Sequence, residues 1–426
     1  MGRCLHSMGG CVQLLMVNQL AINIGFYMLM PYLAGHLADG LGMAAWTIAL
    51  VLGMRNLSQQ GLFLLGGTLA DRLGYRPVII AGCLLRTAGF ALLGLADTLP
   101  ALLIASAMTG FAGALFNPAV RAYLAHEAGT RRVETFALFN VFSQTGILAG
   151  PLIGLALVAI DFQLDCAVAA VVFALLTVLQ FFALPPCRAE TEPAASVLAD
   201  WRTVAANRPF LLFTLAMAGS YVLSFQIYLA LPLALGNAGA VSLLFALSAI
   251  VAIIGQLRIT DWARRRWTSG QAITYGLALM AVAFVPLMLT DSAGASDGVR
   301  LSAVLTCTVV VTLGTALTNP FEMDTVVALS GGRLVATCYG LYNTVAGIGI
   351  ALGNLLIGAL LDTGTSAAPW LVLAGIGAAC AAAVHLLDRT GLTAGAAPAP
   401  DRPRLRPREP AGLAGPKRTS SPGPRP

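Results

Sequence analysis

The sequence predicts an all-α membrane protein of twelve transmembrane helices, arranged as two pseudo-symmetric six-helix bundles. Three observations predict it. The 426 residues are 58% hydrophobic and only 10% charged, with a mean hydropathy of +0.81, whereas soluble domains carry about 25% charged residues. The apolar residues fall in stretches of about 20, the length a helix needs to cross a bilayer. The two halves of the chain also repeat each other's polar punctuation. Backbone in lipid must satisfy its own hydrogen bonds, which leaves helices or a closed barrel. Barrel strands alternate polar and apolar residues, but segments 101–116 and 168–184 are apolar nearly throughout.

In chain order the predicted spans are 11–35, 45–70, 77–97, 99–125, 134–160, 165–185, 209–234, 240–259, 271–290, 301–326, 335–361 and 367–387. Tight hairpins near Pro100 and Leu164 separate the third from the fourth span and the fifth from the sixth. Segments after even-numbered spans hold Arg72, Arg76, Arg131, Arg132, Arg188, Arg202, Arg208, Arg264, Arg265, Arg266 and Arg333. Those after odd-numbered spans hold Asp39, Asp97, Asp161, Asp165, Asp291, Asp297 and Asp362, with Arg300 the basic exception. The positive-inside rule then puts both termini in the cytoplasm of an inner-membrane protein. Trp46, Trp201, Trp262, Trp267 and Trp370 lie near span ends or in connections, as interfacial anchors do.

The expected organisation is an N-terminal six-helix bundle (1–185), a cytoplasmic linker (186–208), a C-terminal six-helix bundle (209–387) and a disordered basic tail (388–426). Within the linker, 196–207 has the pattern of an amphipathic helix. The tail is rich in Pro, Ala, Gly and Arg and lacks a hydrophobic period.

The repeat is specific. Asn117 and Pro118 in the fourth span recur as Asn319 and Pro320 in the tenth, and Asn140 recurs as Asn343. Gly146 and Gly150 recur as Gly349 and Gly353, also 203 residues on. Parallel repeats about an axis normal to the membrane are one transporter plan, with substrate near the midplane between halves.

Other classes fall away. Of the net charge of +6, most comes from the last 39 residues, so no nucleic-acid partner is expected. The eight cysteines have no metal-ligand spacing, and no nucleophile motif or P-loop appears. No metal, no cofactor and no enzymatic activity are therefore expected. The first apolar stretch reads as a span and not as a cleaved leader.

Gly67, Asp71, Arg72, Gly74 and Arg76 form a loop signature that resembles that of the major facilitator superfamily, with Tyr75 in place of one base. Gly146, Gly150, Pro151 and Gly154 in the fifth span resemble its exporter motif, with Leu155 where a second Gly is usual. Asn117, Pro118 and Arg121, followed by Arg132 and the run Phe136–Asn140, resemble its drug/proton antiporter branch. The runs 55–61 and 84–90 resemble a bacterial multidrug-resistance subgroup. The resemblance implies the major facilitator fold, a monomer and alternating access. It also implies a latch in which Asp71 ties the first half to the eleventh span. A plain interfacial hairpin is the alternative for that loop.

The polar residues inside the spans are the site candidates. Arg55 and Arg86 lie mid-span, where charge is costly and faces a wet cavity or a partner. Arg55, Ser58 and Gln59 share one helix face. Asn18, Gln19, Asn23, Gln144, Tyr221, Gln226 and Asn343 complete the candidate substrate cavity. Gly146, Gly150 and Gly154 offer a flat packing face, and Pro151 a bend. The first span lacks the acid that antiporters of this branch often carry. The remaining acids, Glu322 and Asp324, are therefore coupling candidates, with interfacial placement favoured for both. Arg121 resembles the basic residue that this branch carries in its fourth span, which implies a part in coupling, with snorkelling to the interface the equal alternative. The resulting expectation is export of a small amphiphilic molecule, drug-like or a secreted metabolite, in exchange for protons. The alternatives are export of a siderophore or other anionic metabolite, and an importer or facilitator on the same fold.

Overall fold

The computed structural model describes residues 9–187, 196–235, 238–292, 296–362 and 367–391. Most of the expected tail, Arg188 and the middle of the linker lie outside the described residues. Regular structure within them is helical throughout.

The first span is broken: α1 (Gly10–Tyr27), α2 (Met30–Gly35) and a π turn over His36–Gly40. Then follow α3 (Ala45–Leu73), α4 (Tyr75–Leu95), α5 (Leu99–Ala128), α6 (Arg132–Val158) and α7 (Phe162–Ala183). The linker forms α8 (Val197–Ala206). In the second half come α9 (Arg208–Phe225), α10 (Ala230–Leu235), α11 (Ala238–Arg264), α12 (Ser269–Val282), α13 (Val285–Ser292), α14 (Asp297–Ser330), α15 (Val335–Asp362) and α16 (Ala368–Arg389). Each predicted span matches a helix or helix pair to within about five residues.

Ten segments among the described residues are long and apolar enough to cross a membrane. One of them, Leu99–Val158, is broken by the 3₁₀ turn Gly129–Arg131 into α5 and α6. Helix α3 is not among the ten, because Arg55, Asn56, Ser58, Gln59 and Gln60 interrupt its apolar run. At 29 residues it is nonetheless about 44 Å long, enough to cross. Among the described residues these helices make twelve crossings.

Local chemistry sets the helix ends. The Asp161 side chain caps α7, accepting from the N–H of Gln163 at 3.1 Å. Ser196 caps α8 and Asn207 caps α9 in the same way. Thr268 and Gln271 form a reciprocal capping box on α12. Gly74, at φ +98°, lets α3 end and α4 begin without an intervening loop.

The packing carries the repeat. Helix α1 lies on α6, and α9 lies on α15 in the same manner. Across the molecule α3 packs on α15 and α11 on α6. Gly67 and Gly340 permit the first of these: a Cβ at Gly67 would overlap the Ala336 carbonyl, and one at Gly340 would sit 2.5 Å from that of Phe63.

One end of the molecule gathers Arg72, Arg76, Arg131, Arg132 and Arg264, and is called the arginine-rich end below. Trp370 corrects the view of tryptophans as surface anchors. It is 1% exposed and stacks on Phe284, ring centroids 6.5 Å apart.

Candidate functional site

A cavity of about 400 Å³ lies between the two halves, with walls from α1, α3, α4, α5, α6, α9, α14 and α15. The repeat faces itself there: Asn117 and Asn319, and Asn140 and Asn343, all line it. A second pocket of about 180 Å³ adjoins it, sharing Asn140, Tyr221, Phe225 and Asn319 and adding Gln144 and Glu322. Seven of the ten expected cavity residues, Gln19, Asn23, Arg55, Gln59, Arg86, Tyr221 and Asn343, line the main cavity. Gln144 lines the adjoining pocket.

Two do not. Asn18 turns into the first bundle, where its Oδ1 accepts from Gln180 at 2.7 Å. Gln226 is wholly buried, donating to the Val222 carbonyl at 2.8 Å and facing Asn354 at 3.4 Å. Both lie on helix faces that a linear sequence does not assign to pathway or interior. The walls also include Phe26, which sequence reasoning missed because an aromatic in a span reads as ordinary core.

Arg55 and Arg86 converge on Phe26. Each guanidinium carbon is 5.0 Å from that ring's centroid, and Arg86 also lies over Phe173 at 5.3 Å. Arg55 donates to Asn56 Oδ1 at 2.6 Å and reaches Gln59 Oε1 at 3.4 Å. Among the described residues Arg86 reaches the Thr109 carbonyl, at 3.4 Å, and its buried Nε has no hydrogen-bond partner. Gly113 leaves room for the head group, since a Cβ there would lie 2.9 Å from Arg86 Nη2.

Arg121 is drawn inward, not out to the interface. Its Nη1 donates to Asn343 Oδ1 at 2.8 Å, across the two halves. Glu322 corrects the expectation that both acids sit at the interface. It is 3% exposed, and its Oε1 accepts from Tyr221 at 2.8 Å and Tyr342 at 2.6 Å. Asp324, two residues on, points the other way and pairs with Arg132 at 2.7 Å. The half-turn between them separates an internal acid from a bridging one.

The arginine-rich end is closed by contacts between halves. Asp71 is 3% exposed and accepts from the N–H groups of Ala336 at 3.2 Å and Thr337 at 2.7 Å, and from the Thr337 hydroxyl at 2.7 Å. These are the free donors at the start of α15, where the helix dipole also favours an anion. Arg264 of α11 pairs with Glu134 of α6 at 2.5 Å. Helix α8 docks here too: Arg72 holds the buried Asp200 at 2.6 Å, and the Trp201 indole donates to Thr68 at 2.9 Å. Among the described residues Arg76 pairs with no acid; it donates to the Phe181 carbonyl and lies over the Phe181 ring.

In α6 the small residues meet α1. A Cβ at Gly146 would lie 2.7 Å from that of Asn23, one at Gly150 2.7 Å from that of Tyr27, and one at Gly154 would overlap the Met28 carbonyl. Pro151 sits inside an unbroken helix, and Tyr32 donates to its carbonyl at 2.6 Å.

Two halves with the same packing around a polar cavity point to one family, and the comparisons decide it. The family model described as Major Facilitator Superfamily matches residues 15–354. The chain belongs to the Major Facilitator Superfamily. It is 52% identical over 389 residues to an uncharacterized MFS-type transporter of Mycobacterium tuberculosis, covering 88% of this chain and 93% of the relative. It is 30% identical over 376 residues to the multidrug resistance protein MdtH of Yersinia enterocolitica, covering 85% and 90%. Among solved structures, the human organic anion transporter MFSD10 (TETRAN) superposes with a TM-score of 0.67 at 17% identity, covering 88% of this chain and 98% of that one. That likeness shows a shared fold over most of the chain.

Away from the cavity, ligand atoms of His126, Glu127 and Cys187 lie within 4.8 Å of one another. Sequence spacing hides this grouping, because Cys187 follows α7 while the other two end α5.

Proposed function

We propose that this superfamily member is a secondary active exporter, moving a small amphiphilic molecule outward across the inner membrane by alternating access in exchange for protons. The arginine-rich end faces the cytoplasm, in accord with the positive-inside rule. The observation that carries the reading is a polar cavity between repeated halves, sealed at that end by groups from both. Breaking those contacts and rocking the halves opens the cavity inward. The names of the MdtH relatives support a drug-like cargo, and the fifth-span glycines and proline support the outward direction.

Glu322 is the proton carrier in this reading. It is the acid of the adjoining pocket, it is buried, and two tyrosine hydroxyls hold it. Arg121, hydrogen-bonded to Asn343, completes the coupling group. The protein works as a monomer. Asp324 takes the role of an ion-pair bridge, given its contact with Arg132.

A second cargo reading, a siderophore or other anionic metabolite, is favoured by one feature: the main cavity is lined by Arg55, Arg86 and Arg121 and, among the described residues, by no acid. Inside-out vesicles test the mechanism. Accumulation on imposing a proton gradient supports export; accumulation only in right-side-out vesicles reverses the direction.

A further inference from the structure

We propose that Arg55, Phe26 and Arg86 form the seat of an organic anion, with the two guanidinium groups gripping one carboxylate-, sulfonate- or phosphate-bearing end of the cargo. The proposal rests on the transport reading above and deepens it to a substrate class.

The argument is one of uncompensated charge. Both guanidinium groups lie 5.0 Å from one ring. Their protein contacts are neutral: Asn56, Gln59 and the Thr109 carbonyl. Among the described residues neither has a carboxylate within ion-pair distance, and the cavity wall contains no acid. The Phe26 face attracts a cation but carries no net charge. Two cations held near the middle of a membrane are costly unless something neutralises them. The Nε of Arg86 is buried and without a hydrogen-bond partner among the described residues, so the protein leaves this guanidinium's bonding capacity unmet. Guanidinium forks match carboxylate and phosphate geometry, so the class is an oxyanion and not a halide. Phe63, Phe139, Ile147 and Phe225 on the same wall supply the apolar surface for the rest of the molecule.

The charge also accounts for the missing first-span acid. An anion leaving an inside-negative cell moves down the membrane potential, which supports a roughly 50-fold gradient per charge per 100 mV (about 2.3 kcal/mol). Such a cargo needs less help from protons than a cationic drug does. Asn18 is then free to pack against Gln180, as it does.

Two dyes on one scaffold test the class. Fluorescein is an anion with a carboxylate; rhodamine 123 has the same tricyclic core and a positive charge. Binding to the full chain in nanodiscs is read by fluorescence polarisation. Fluorescein should bind at least tenfold more tightly than rhodamine 123 to the unaltered protein, a comparison that needs no variant. Arg86→Ala and Arg55→Ala should each weaken fluorescein at least tenfold, and Arg86→Lys should weaken it less than Arg86→Ala. Tighter binding of rhodamine 123, binding of neither dye, or indifference of fluorescein to both alanine variants overturns the proposal. Displacement of fluorescein by equimolar sulfate reduces the seat to an inorganic-anion site and overturns the organic class. Rhodamine 123 driven across vesicles without fluorescein binding would sink this proposal alone; fluorescein bound but never translocated would sink the transport reading alone.

Discussion

The carboxylate of Asp71 and the first turn of α15 meet across 266 residues of chain: Thr337 donates both its N–H and its hydroxyl to Asp71 Oδ2, each at 2.7 Å. Hydrogen bonds to a charged group are worth about 1.5–3 kcal/mol each when buried, and the helix N-terminus adds to them. Asp71→Asn keeps the shape and loses the charge. It should shift the balance away from the closed arginine-rich end by about 2 kcal/mol, or roughly thirtyfold. Spin-label distances across that end, between the last turn of α3 and the first of α15, check it. An unchanged distance distribution would remove Asp71 from the closure.

Glu134 holds the position in the first half that Thr337 holds in the second, 203 residues apart. Helix α11 reaches it with Arg264 where α3 reaches Thr337 with Asp71. The two closures are related by the repeat, but the chemistry differs. Arg264 and Glu134 are 41% and 28% exposed, so solvent screens the pair and holds it below about 1 kcal/mol. Glu134→Gln should therefore shift the same distances only slightly at low salt, and not at all in 0.5 M salt, where the screening length is about 4 Å. The Asp71→Asn shift should survive that salt. Equal salt sensitivity of the two variants would contradict the burial argument.

Asp200 couples the linker to the first half. It is 1% exposed and meets Arg72, which is 23% exposed, at 2.6 Å. Asp200→Ala leaves Arg72 partly hydrated, so the cost is about 1–3 kcal/mol, below that of breaking a fully buried pair. Helix α8 should loosen from α3, and trypsin should cut after Arg202 about tenfold faster. Unchanged cleavage would mean that Trp201 on Thr68 holds the helix without the ion pair.

Gly154 of α6 packs against the Met28 carbonyl, one residue past the end of α1, where a Cβ would overlap it. Gly154→Val must push the helices apart, costing roughly 1–3 kcal/mol or more, and should lower the thermal midpoint by several degrees. Gly358 has nothing within 4 Å of a built Cβ. Gly358→Ala should leave the midpoint level or raise it, since alanine favours the helix by up to about 1 kcal/mol. A loss at Gly358 equal to that at Gly154 would overturn the close-approach argument, since a Cβ at Gly358 meets nothing.

Glu322→Gln retains an oxygen to accept from Tyr221 and Tyr342 but cannot carry a proton. On the proton-antiport reading, gradient-driven accumulation should fall more than tenfold while exchange of labelled for unlabelled cargo continues. Loss of both would give Glu322 a structural task, and loss of neither would exclude it from coupling.

Linear order alone determined the helical membrane class, the span limits, the repeat and most of the cavity candidates. The reason is physical: a bilayer demands about 20 apolar residues per crossing, so Arg55, Arg86 and Asn343 stand out against that background without any structure. Tertiary packing alone decided which polar side chains face which space. Asn18 and Gln19 are neighbours in sequence, yet one bonds Gln180 inside the first bundle and the other lines the cavity. Glu322 and Asp324 divide in the same way, inward to two tyrosines and outward to Arg132. Successive helical residues point about 100° apart, and only the neighbours supplied by distant segments say what each direction meets.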